Sequence, residues 1–305
     1  MTKRDQFEGC IIGGAIGDAF GSGYENQNLN EEKEDVYYLF GHPLKKTRAI
    51  PEWQITDDTQ LTLATIESIM EDEGLNPESI AQSFLKLYRK KKLKGLGSST
   101  LKALQELEFG GHWSQVGRKG EYAAGNGAAM RIAPLAFCEG VSKATIRDIC
   151  SITHKNDEAY VGAMSIIIAI REILEGNWTG SENLISLIIG QIPDTKIRDR
   201  LMEIESVENL FEIGKLGNSG YVVNSVPLAI AAANRVKKIG IEEMYLQLIK
   251  IGGDTDTNCS LAGQIAGTLI GRKKIPEKLI NKLSELKEFD WIEETLKKMR
   301  KKKKW

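Results

Sequence analysis

Several features that mark other classes of protein are missing from this 305-residue chain. Its four cysteines are scattered and never form a C-x-x-C pair, so the sequence indicates neither a zinc site nor a disulfide framework. A net charge of −1 gives no overall positive field, so nucleic acid is not predicted as a partner. No apolar run reaches the ~20 residues that cross a membrane, and the charged N-terminus does not read as a signal peptide. We therefore expect a cytoplasmic protein without a membrane partner.

Two short acidic segments stand out against this background. Residues 56–59 read Thr-Asp-Asp-Thr and residues 253–257 read Gly-Asp-Thr-Asp-Thr, and each directly precedes an apolar stretch with the composition of a buried helix. A helix cap explains one aspartate in each segment but not a second. Buried carboxylates that lie close together repel one another unless protons or a cation compensate them, and hard divalent cations prefer oxygen ligands. The two segments together predict one shared metal site.

The rest of the chain is typical of helices. Hydrophobic residues make up 41% of the sequence, enough for a substantial core, and no stretch shows convincing strand alternation. Residues 28–51 are predicted to form a long loop, of the kind that often serves as a lid or binding loop. Because the acidic segments lie in opposite halves of the chain, dividing it would split the metal site. The prediction is one all-α domain over residues 1–305, with orthogonally arranged helices around a central metal cleft.

A glycine-rich segment lies near the start of the chain, at residues 7–23. No strand precedes it, which argues against a dinucleotide-binding loop. We interpret it as a tightly packed helix whose small residues let another helix approach closely. Asp18, on this helix, is predicted to be a hydrogen-bonded structural carboxylate.

A second glycine-containing segment reads Gly125-Asn126-Gly127 and precedes another helix-like stretch. Such a turn exposes backbone N–H groups and suits an anionic group such as a phosphate, but an ordinary tight turn explains the pattern equally well when it is considered alone. His154 is one of only three histidines and lies beside a helix start, where a structural role is the more common one. Ser98 is predicted to cap a helix that ends near residue 109.

Five segments of the chain, taken in order, resemble the ADP-ribosylglycohydrolases, a family that includes dinitrogenase-reductase-activating glycohydrolase and the ADP-ribosyl-acceptor hydrolases. The resemblance extends over about residues 9–271, and each segment alone is a weak signal. The segments are GAIGDAFGSGYE, ITDDTQLTLA, GNGAAMRIAPLA, THKNDEA and GGDTDTNCSLAGQIAG.

The resemblance implies an all-α enzyme with two magnesium ions in a central cleft, where manganese can substitute. The metal ligands that it implies are Thr56, Asp57, Asp58, Asp254, Asp256 and Thr257. It also implies that Glu25 lies near the metals. The residues that it implies for contact with the ADP part of the substrate are Gly125, Asn126, Gly127, Ala128 and His154. The family also contains inactive relatives that have lost metal ligands, whereas this chain keeps all six positions.

The predicted function is hydrolysis of the bond between ADP-ribose and an acceptor, with protein arginine as the first choice. Serine-linked or O-acetyl-ADP-ribose is the alternative substrate, and a module that binds ADP-ribose without turnover is the alternative class. The expected partner is an ADP-ribosylated protein or a small ADP-ribose conjugate. Glycoside hydrolysis requires a carboxylate as acid or base, and Glu25, Asp254 and Asp57 are the candidates. Asn224 stands where relatives often have an acidic residue, which puts an acceptor contact there in doubt.

Overall fold

The computed structural model describes residues 1–25, 36–39, 42–45, 51–71 and 75–302, with the backbone alone described for the two ranges between 36 and 45. The architecture is all-α, which confirms the predicted fold class. The α-helices in chain order are α1 (Lys3–Gly21), α2 (Asp57–Glu71), α3 (Pro77–Arg89), α4 (Ser98–Glu108), α5 (Lys143–Ser151), α6 (Asp157–Leu174), α7 (Leu184–Ile189), α8 (Lys196–Ile204), α9 (Leu210–Lys215), α10 (Val222–Ala233), α11 (Val236–Ile239), α12 (Ile241–Ile251), α13 (Thr255–Ile270), α14 (Glu277–Ser284) and α15 (Phe289–Lys302). None of the described helices combines the length and apolar character of a membrane-spanning segment.

Two pairs of short strands accompany the helices in the described part of the chain. β1 (Val36–Leu39) pairs antiparallel with β2 (His42–Lys45), inside the segment predicted as a loop. β3 (Arg118–Lys119) pairs in parallel with β4 (His154–Lys155). Strands of two to four residues are too short for alternation to be recognised in a sequence. Within the predicted loop at residues 28–51, residues 28–35, 40–41 and 46–50 lie outside the described part of the structure.

The core of the protein is continuous. Buried apolar side chains form one cluster that extends from Phe7 in α1 to Met299 in α15. A domain has its own hydrophobic core, and this core includes side chains from both halves of the chain. On this basis we propose that the chain is a single domain.

The closest helix contact in the core joins α1 to α13. Four glycines of α1, spaced four residues apart, face carbonyl groups of α13 so closely that an added Cβ would lie 2.2–2.4 Å from the carbonyl oxygen. The facing pairs are Gly9 with Gly267, Gly13 with Gly263, Gly17 with Cys259, and Gly21 with Thr255. The pairs run in opposite directions along the two helices. The C-terminal end of α1 therefore lies beside the N-terminal end of α13.

We predict that Gly13→Ala destabilises the protein, because the new methyl group would lie 2.4 Å from the carbonyl oxygen of Gly263 and force the helices apart. Overpacking of this kind costs about 1–3 kcal/mol, whereas helix propensity alone would make the change stabilising by about 0.5–1 kcal/mol. Gly190→Ala is the matched control, since no atom lies within 4 Å of its added Cβ. Thermal unfolding of both variants measures the difference. A Gly13→Ala variant as stable as the control would contradict the close contact.

Candidate active site

A cavity of about 260 Å³ lies where the start of α2, the start of α4 and the start of α13 meet. Its lining combines carboxylates, hydroxyl groups and glycines, with few apolar groups. The lining residues are Glu25, Asp57, Asp58, Gly95, Gly97, Ser98, Ser99, Thr100, Tyr122, Gly125, Asn126, Gly127, Met130, His154, Gly220, Asp254, Asp256 and Thr257. We call this cavity the cleft.

The start of α2 is fixed by a carboxylate from another helix. Asp18 of α1 accepts hydrogen bonds from the backbone N–H groups of Thr56 and Thr59, at 3.0 and 3.1 Å. It also accepts from their hydroxyl groups, at 2.8 and 2.5 Å. Asp18 therefore satisfies N–H groups that a helix start leaves without partners, and it is a hydrogen-bonded structural carboxylate as the sequence predicted. The hydrogen bonds from Thr56 and Thr59 to Asp18 hold the first turn of α2 in place, and Asp57 and Asp58 in this turn line the cleft.

The start of α13 is fixed by the backbone. Gly253 has φ +80°, and a Cβ there would lie 2.4 Å from the carbonyl oxygen of Asn218, so the turn requires glycine. The N–H group of Asp254 donates to the same carbonyl oxygen at 3.0 Å. The hydroxyl group of Thr257 donates to Asp58 at 3.2 Å. This last bond joins the two acidic segments, which the sequence predicted to share one site.

Like charges are concentrated in this part of the protein. Burial raises the pKa of Asp18, Asp57 and Asp58, and the charge of Asp256 raises each of them further. Burial also raises the pKa of Asp254 and of Asp256, and the neighbouring Asp254 adds to the effect on Asp256. For Asp18 and Asp256 the pKa reaches about 7. The ionised carboxylates therefore need a compensating charge.

The arrangement of these oxygen atoms fits a hard cation. One carboxylate oxygen of Asp58, Oδ1, is buried and has no hydrogen-bond partner among the described residues. Carboxylate oxygens of Glu25, Asp254 and Asp256 lie within 4.8 Å of one another, close enough to share one ion. Buried unsatisfied oxygens and converging carboxylates are the donor set that divalent cations such as magnesium bind. The residues present therefore fit the metal that the sequence predicted.

The turn at residues 125–127 joins the acidic residues to His154. The side-chain amide of Asn126 donates to Asp254 at 2.6 Å, and the backbone N–H group of Asn126 donates to the carbonyl of Gly220 at 3.0 Å. The ring of His154 lies against the turn, so that a Cβ at Gly127 would come within 2.8 Å of it. Burial, together with the charges of nearby arginines, lowers the pKa of His154 to about 3. His154 is therefore neutral.

The first turn of α4 is the part of the cleft that sequence reasoning missed. The N-cap of α4 is Gly97, which has no side chain to cap the helix, and Ser98 is the first helical residue. The prediction that Ser98 caps this helix is therefore wrong. Ser98, Ser99 and Thr100 line the cleft, so the positive end of the α4 dipole lies at its wall. The segment Gly-Leu-Gly-Ser-Ser-Thr at residues 95–100 carried a signal, because glycines followed by small hydroxyl residues often begin an anion-binding helix.

The cleft brings together ten of the twelve residues predicted as site residues. They are Glu25, Asp57, Asp58, Gly125, Asn126, Gly127, His154, Asp254, Asp256 and Thr257. The two others, Thr56 and Ala128, are buried beside the cleft and do not line it. The hydroxyl group of Thr56 donates to Asp18 and accepts from the N–H group of Asp58. The sequence analysis did not predict Tyr122, which is 82% exposed and also lines the cleft.

These features define an all-α protein whose acidic cleft has the oxygen donors that fit a divalent cation. The family model for ADP-ribosylglycohydrolase matches residues 1–304. Human ADP-ribosylhydrolase ARH3 is 25% identical over 345 residues, which cover 95% of this chain and 92% of that protein. ADP-ribosylarginine hydrolase Tri1 of Pseudomonas putida is 26% identical over 295 residues, 92% of this chain and 74% of that protein.

A solved structure gives the same result at the level of the fold. The ADP-ribosylglycohydrolase-related protein complex superposes with a TM-score of 0.72 and 26% identity, and the match covers 99% of both chains. The chain belongs to the ADP-ribosylglycohydrolase family. It is an enzyme of the glycosidase class that acts on ADP-ribosyl linkages.

We predict that the metal-free protein loses stability as the pH rises from about 5 to about 8. Because the pKa values of Asp18 and Asp256 rise to about 7 on folding, the folded state holds protons that the unfolded state has released. Its free energy of unfolding therefore falls through this window. Thermal unfolding in a chelating buffer measures the slope, and added magnesium should flatten it. A melting temperature that rises with pH in the chelating buffer would be the contrary result.

Proposed function

We propose that this protein is a magnesium-dependent hydrolase that cleaves the glycosidic bond between ADP-ribose and an acceptor, with ADP-ribosylated protein arginine as its leading substrate. The observation that carries the proposal is that carboxylates and hydrogen-bond donors line the same cleft, and we propose that they form two ends of it. The acidic end holds the carboxylates at the starts of α2 and α13, together with Glu25. The donor end holds the first turn of α4, the turn at residues 125–127 and His154.

This division matches the charges within ADP-ribose. A diphosphate would be repelled by the carboxylates, whereas backbone N–H groups at a helix start bind phosphate well. The hydroxyl groups of the terminal ribose are neutral, and they can share a cation with the carboxylates. We place the diphosphate at the donor end and this ribose at the acidic end. The exposed ring of Tyr122, with the guanidinium of Arg118 5.5 Å from its centroid, offers a stacking surface for the adenine.

The acidic end would hold the metal. We propose two magnesium ions, replaceable by manganese, with Asp57, Asp58, Asp254, Asp256 and Thr257 as the main ligands; Thr56 is the remaining predicted ligand. When bound, magnesium would compensate the carboxylates and supply the positive charge that orients the ribose hydroxyl groups. Oδ1 of Asp58 supports this assignment, because no group in the described part of the chain bonds to it and a buried carboxylate oxygen without a partner is costly.

A carboxylate of the chain must move the proton in this reaction. Cleavage passes through an oxocarbenium-like transition state, in which a base activates water or an acid protonates the leaving group. We propose Glu25 for this role, because it is exposed at the cleft and its carboxylate lies near Asp254 and Asp256. Asp254 and Asp57 are the other candidates.

The negative charge at the mouth of the cleft favours a cationic acceptor. Burial raises the pKa of Asp254, and the charge of Glu25 adds to this rise. The guanidinium group of an arginine would be attracted there, and one relative is named an ADP-ribosylarginine hydrolase.

Asn224, the position where relatives often have an acidic residue, makes hydrogen bonds within the protein. Its side chain donates to Ser219 at 3.0 Å and accepts from Arg200. We expect the reaction to take place in the cytoplasm, on a protein or a small conjugate.

The proposal is tested by incubating the protein with arginine-linked and serine-linked ADP-ribosyl peptides and with O-acetyl-ADP-ribose. We expect release of ADP-ribose from the arginine-linked peptide in magnesium, and loss of this activity in a chelator. Preference for another linkage would change the acceptor and keep the reaction. Binding of ADP-ribose without release from any substrate would instead support a binding module. Full activity after exhaustive metal removal would contradict the metal site.

Two substitutions separate binding from chemistry. Glu25→Gln keeps size and polarity but removes the titratable group, so we expect ADP-ribose affinity to stay and turnover to fall by ~10²–10⁴-fold. Asp256→Ala removes a metal ligand, so we expect metal affinity and ADP-ribose affinity to fall together. Glu52→Gln is the matched control, because Glu52 is exposed and lies outside the cleft lining. Calorimetry and a turnover assay report both quantities. Wild-type turnover in the Glu25→Gln variant would contradict the role of Glu25 as acid or base, and Asp254 or Asp57 would then be the candidate.

A further inference from the structure

The two nitrogen atoms of His154 lie in different surroundings. Nδ1 is 2.7 Å from the hydroxyl oxygen of Thr153, inside the protein. Nε2 lies at the turn, 3.1 Å from the position that a Cβ would take at Gly125, which lines the cleft as His154 does. Within the described parts of the chain, no side chain or backbone group accepts a hydrogen bond from Nε2. A ligand in the cleft therefore meets the ring at Nε2.

The hydrogen bonds of Thr153 decide which nitrogen carries the proton. Arg131 donates from Nη2 to the hydroxyl oxygen of Thr153 at 2.8 Å, and a guanidinium can only donate. The hydroxyl proton of Thr153 then needs an acceptor of its own, because the residue is fully buried. Among the described residues, the other partner of this hydroxyl is Nδ1 of His154. The hydroxyl group therefore donates to Nδ1, and a neutral ring must carry its proton on Nε2.

Arg131 is itself held rigidly. It is 1% exposed, its Nη1 donates to the carbonyl oxygen of Gly127, and its guanidinium lies 5.0 Å from the ring centroid of Phe84. One buried arginine thus joins the turn at residues 125–127 to Thr153. The positive charge of Arg131 also disfavours a second proton on the ring, in agreement with the low pKa of His154.

We infer that Arg131 and Thr153 are positioning residues that fix His154 as its Nε2–H tautomer, so that the ring presents a hydrogen-bond donor to a phosphate oxygen in the cleft. In this role His154 donates a hydrogen bond and transfers no proton. The identity of the ligand rests on the proposed function. The tautomer follows from the hydrogen bonds alone, so the two can fail separately.

The tautomer is measured by long-range ¹H–¹⁵N correlation of the histidine rings. The other histidines of the chain are His42 and His112, and a His42→Gln/His112→Gln variant leaves the signals of His154 alone. We expect a protonated Nε2 and an unprotonated Nδ1 that accepts a hydrogen bond, without any ligand. Added ADP-ribose should shift Nε2 more than Nδ1. A protonated Nδ1 in the ligand-free protein would overturn the inference, whether or not the protein hydrolyses ADP-ribosyl bonds.

The role of Thr153 is tested with Thr153→Val and its matched control, Thr153→Ser, which keeps the hydroxyl group. Without the hydroxyl group, the ¹⁵N chemical shift of Nδ1 should no longer show a hydrogen bond. The ring of His154 should also lose its fixed orientation. Because a fixed hydrogen bond to a charged phosphate would be weakened, we expect the Kd for ADP-ribose to rise about 10-fold or more. The KM should rise more than kcat falls, and Thr153→Ser should retain wild-type binding. Wild-type affinity in a folded Thr153→Val protein would overturn the positioning role. If that variant does not fold, the tautomer measurement on the otherwise native chain decides the question.

Discussion

The contact between the backbones of α1 and α13 is the constraint on which the rest of the site depends. Glycines at every fourth position from Gly9 to Gly21 allow the backbones of the two helices to touch at four points. This contact places Asp18, in the last turn of α1, and Glu25, four residues beyond the end of α1, beside the acidic start of α13. Asp18 then fixes the start of α2 through four groups of Thr56 and Thr59. Three helix ends converge in this way, and the carboxylates of two of them share one cleft.

Convergence of this kind gathers more negative charge than the described residues neutralise. Burial and the neighbouring carboxylates raise the pKa of Asp57, and the charge of buried Arg131 offsets only part of this rise, because the hydrogen bonds of Arg131 go to Gly127 and Thr153. The carboxylates therefore keep raised pKa values, and Oδ1 of Asp58 has no partner among the described residues. Buried groups arranged at such a cost are typical of functional sites. The proposed cation at the acidic end and the proposed diphosphate at the donor end would together give a physical reason for the whole arrangement.

Much of this site could be predicted from local patterns. The acidic segments and the turn at residues 125–127 are short stretches whose composition is unusual for a core, and they appear in the cleft as expected. The α4 start could not be assigned in the same way, because its role depends on which wall of the cleft it forms. The same holds for Thr56, whose side chain is turned to Asp18 by a contact 38 residues away in sequence. The short strands lacked any detectable periodicity.

Crystals grown with manganese and ADP-ribose, measured at the manganese absorption edge, test the central claim most directly. The account predicts anomalous peaks among the carboxylates of Asp57, Asp58, Asp254 and Asp256, with the ribose hydroxyl groups at the metal. It further predicts the diphosphate beside the first turn of α4 and within hydrogen-bond distance of Nε2 of His154. Two peaks would agree with the proposed number of ions. Ordered ADP-ribose in the cleft with no anomalous peak at the carboxylates would contradict the account.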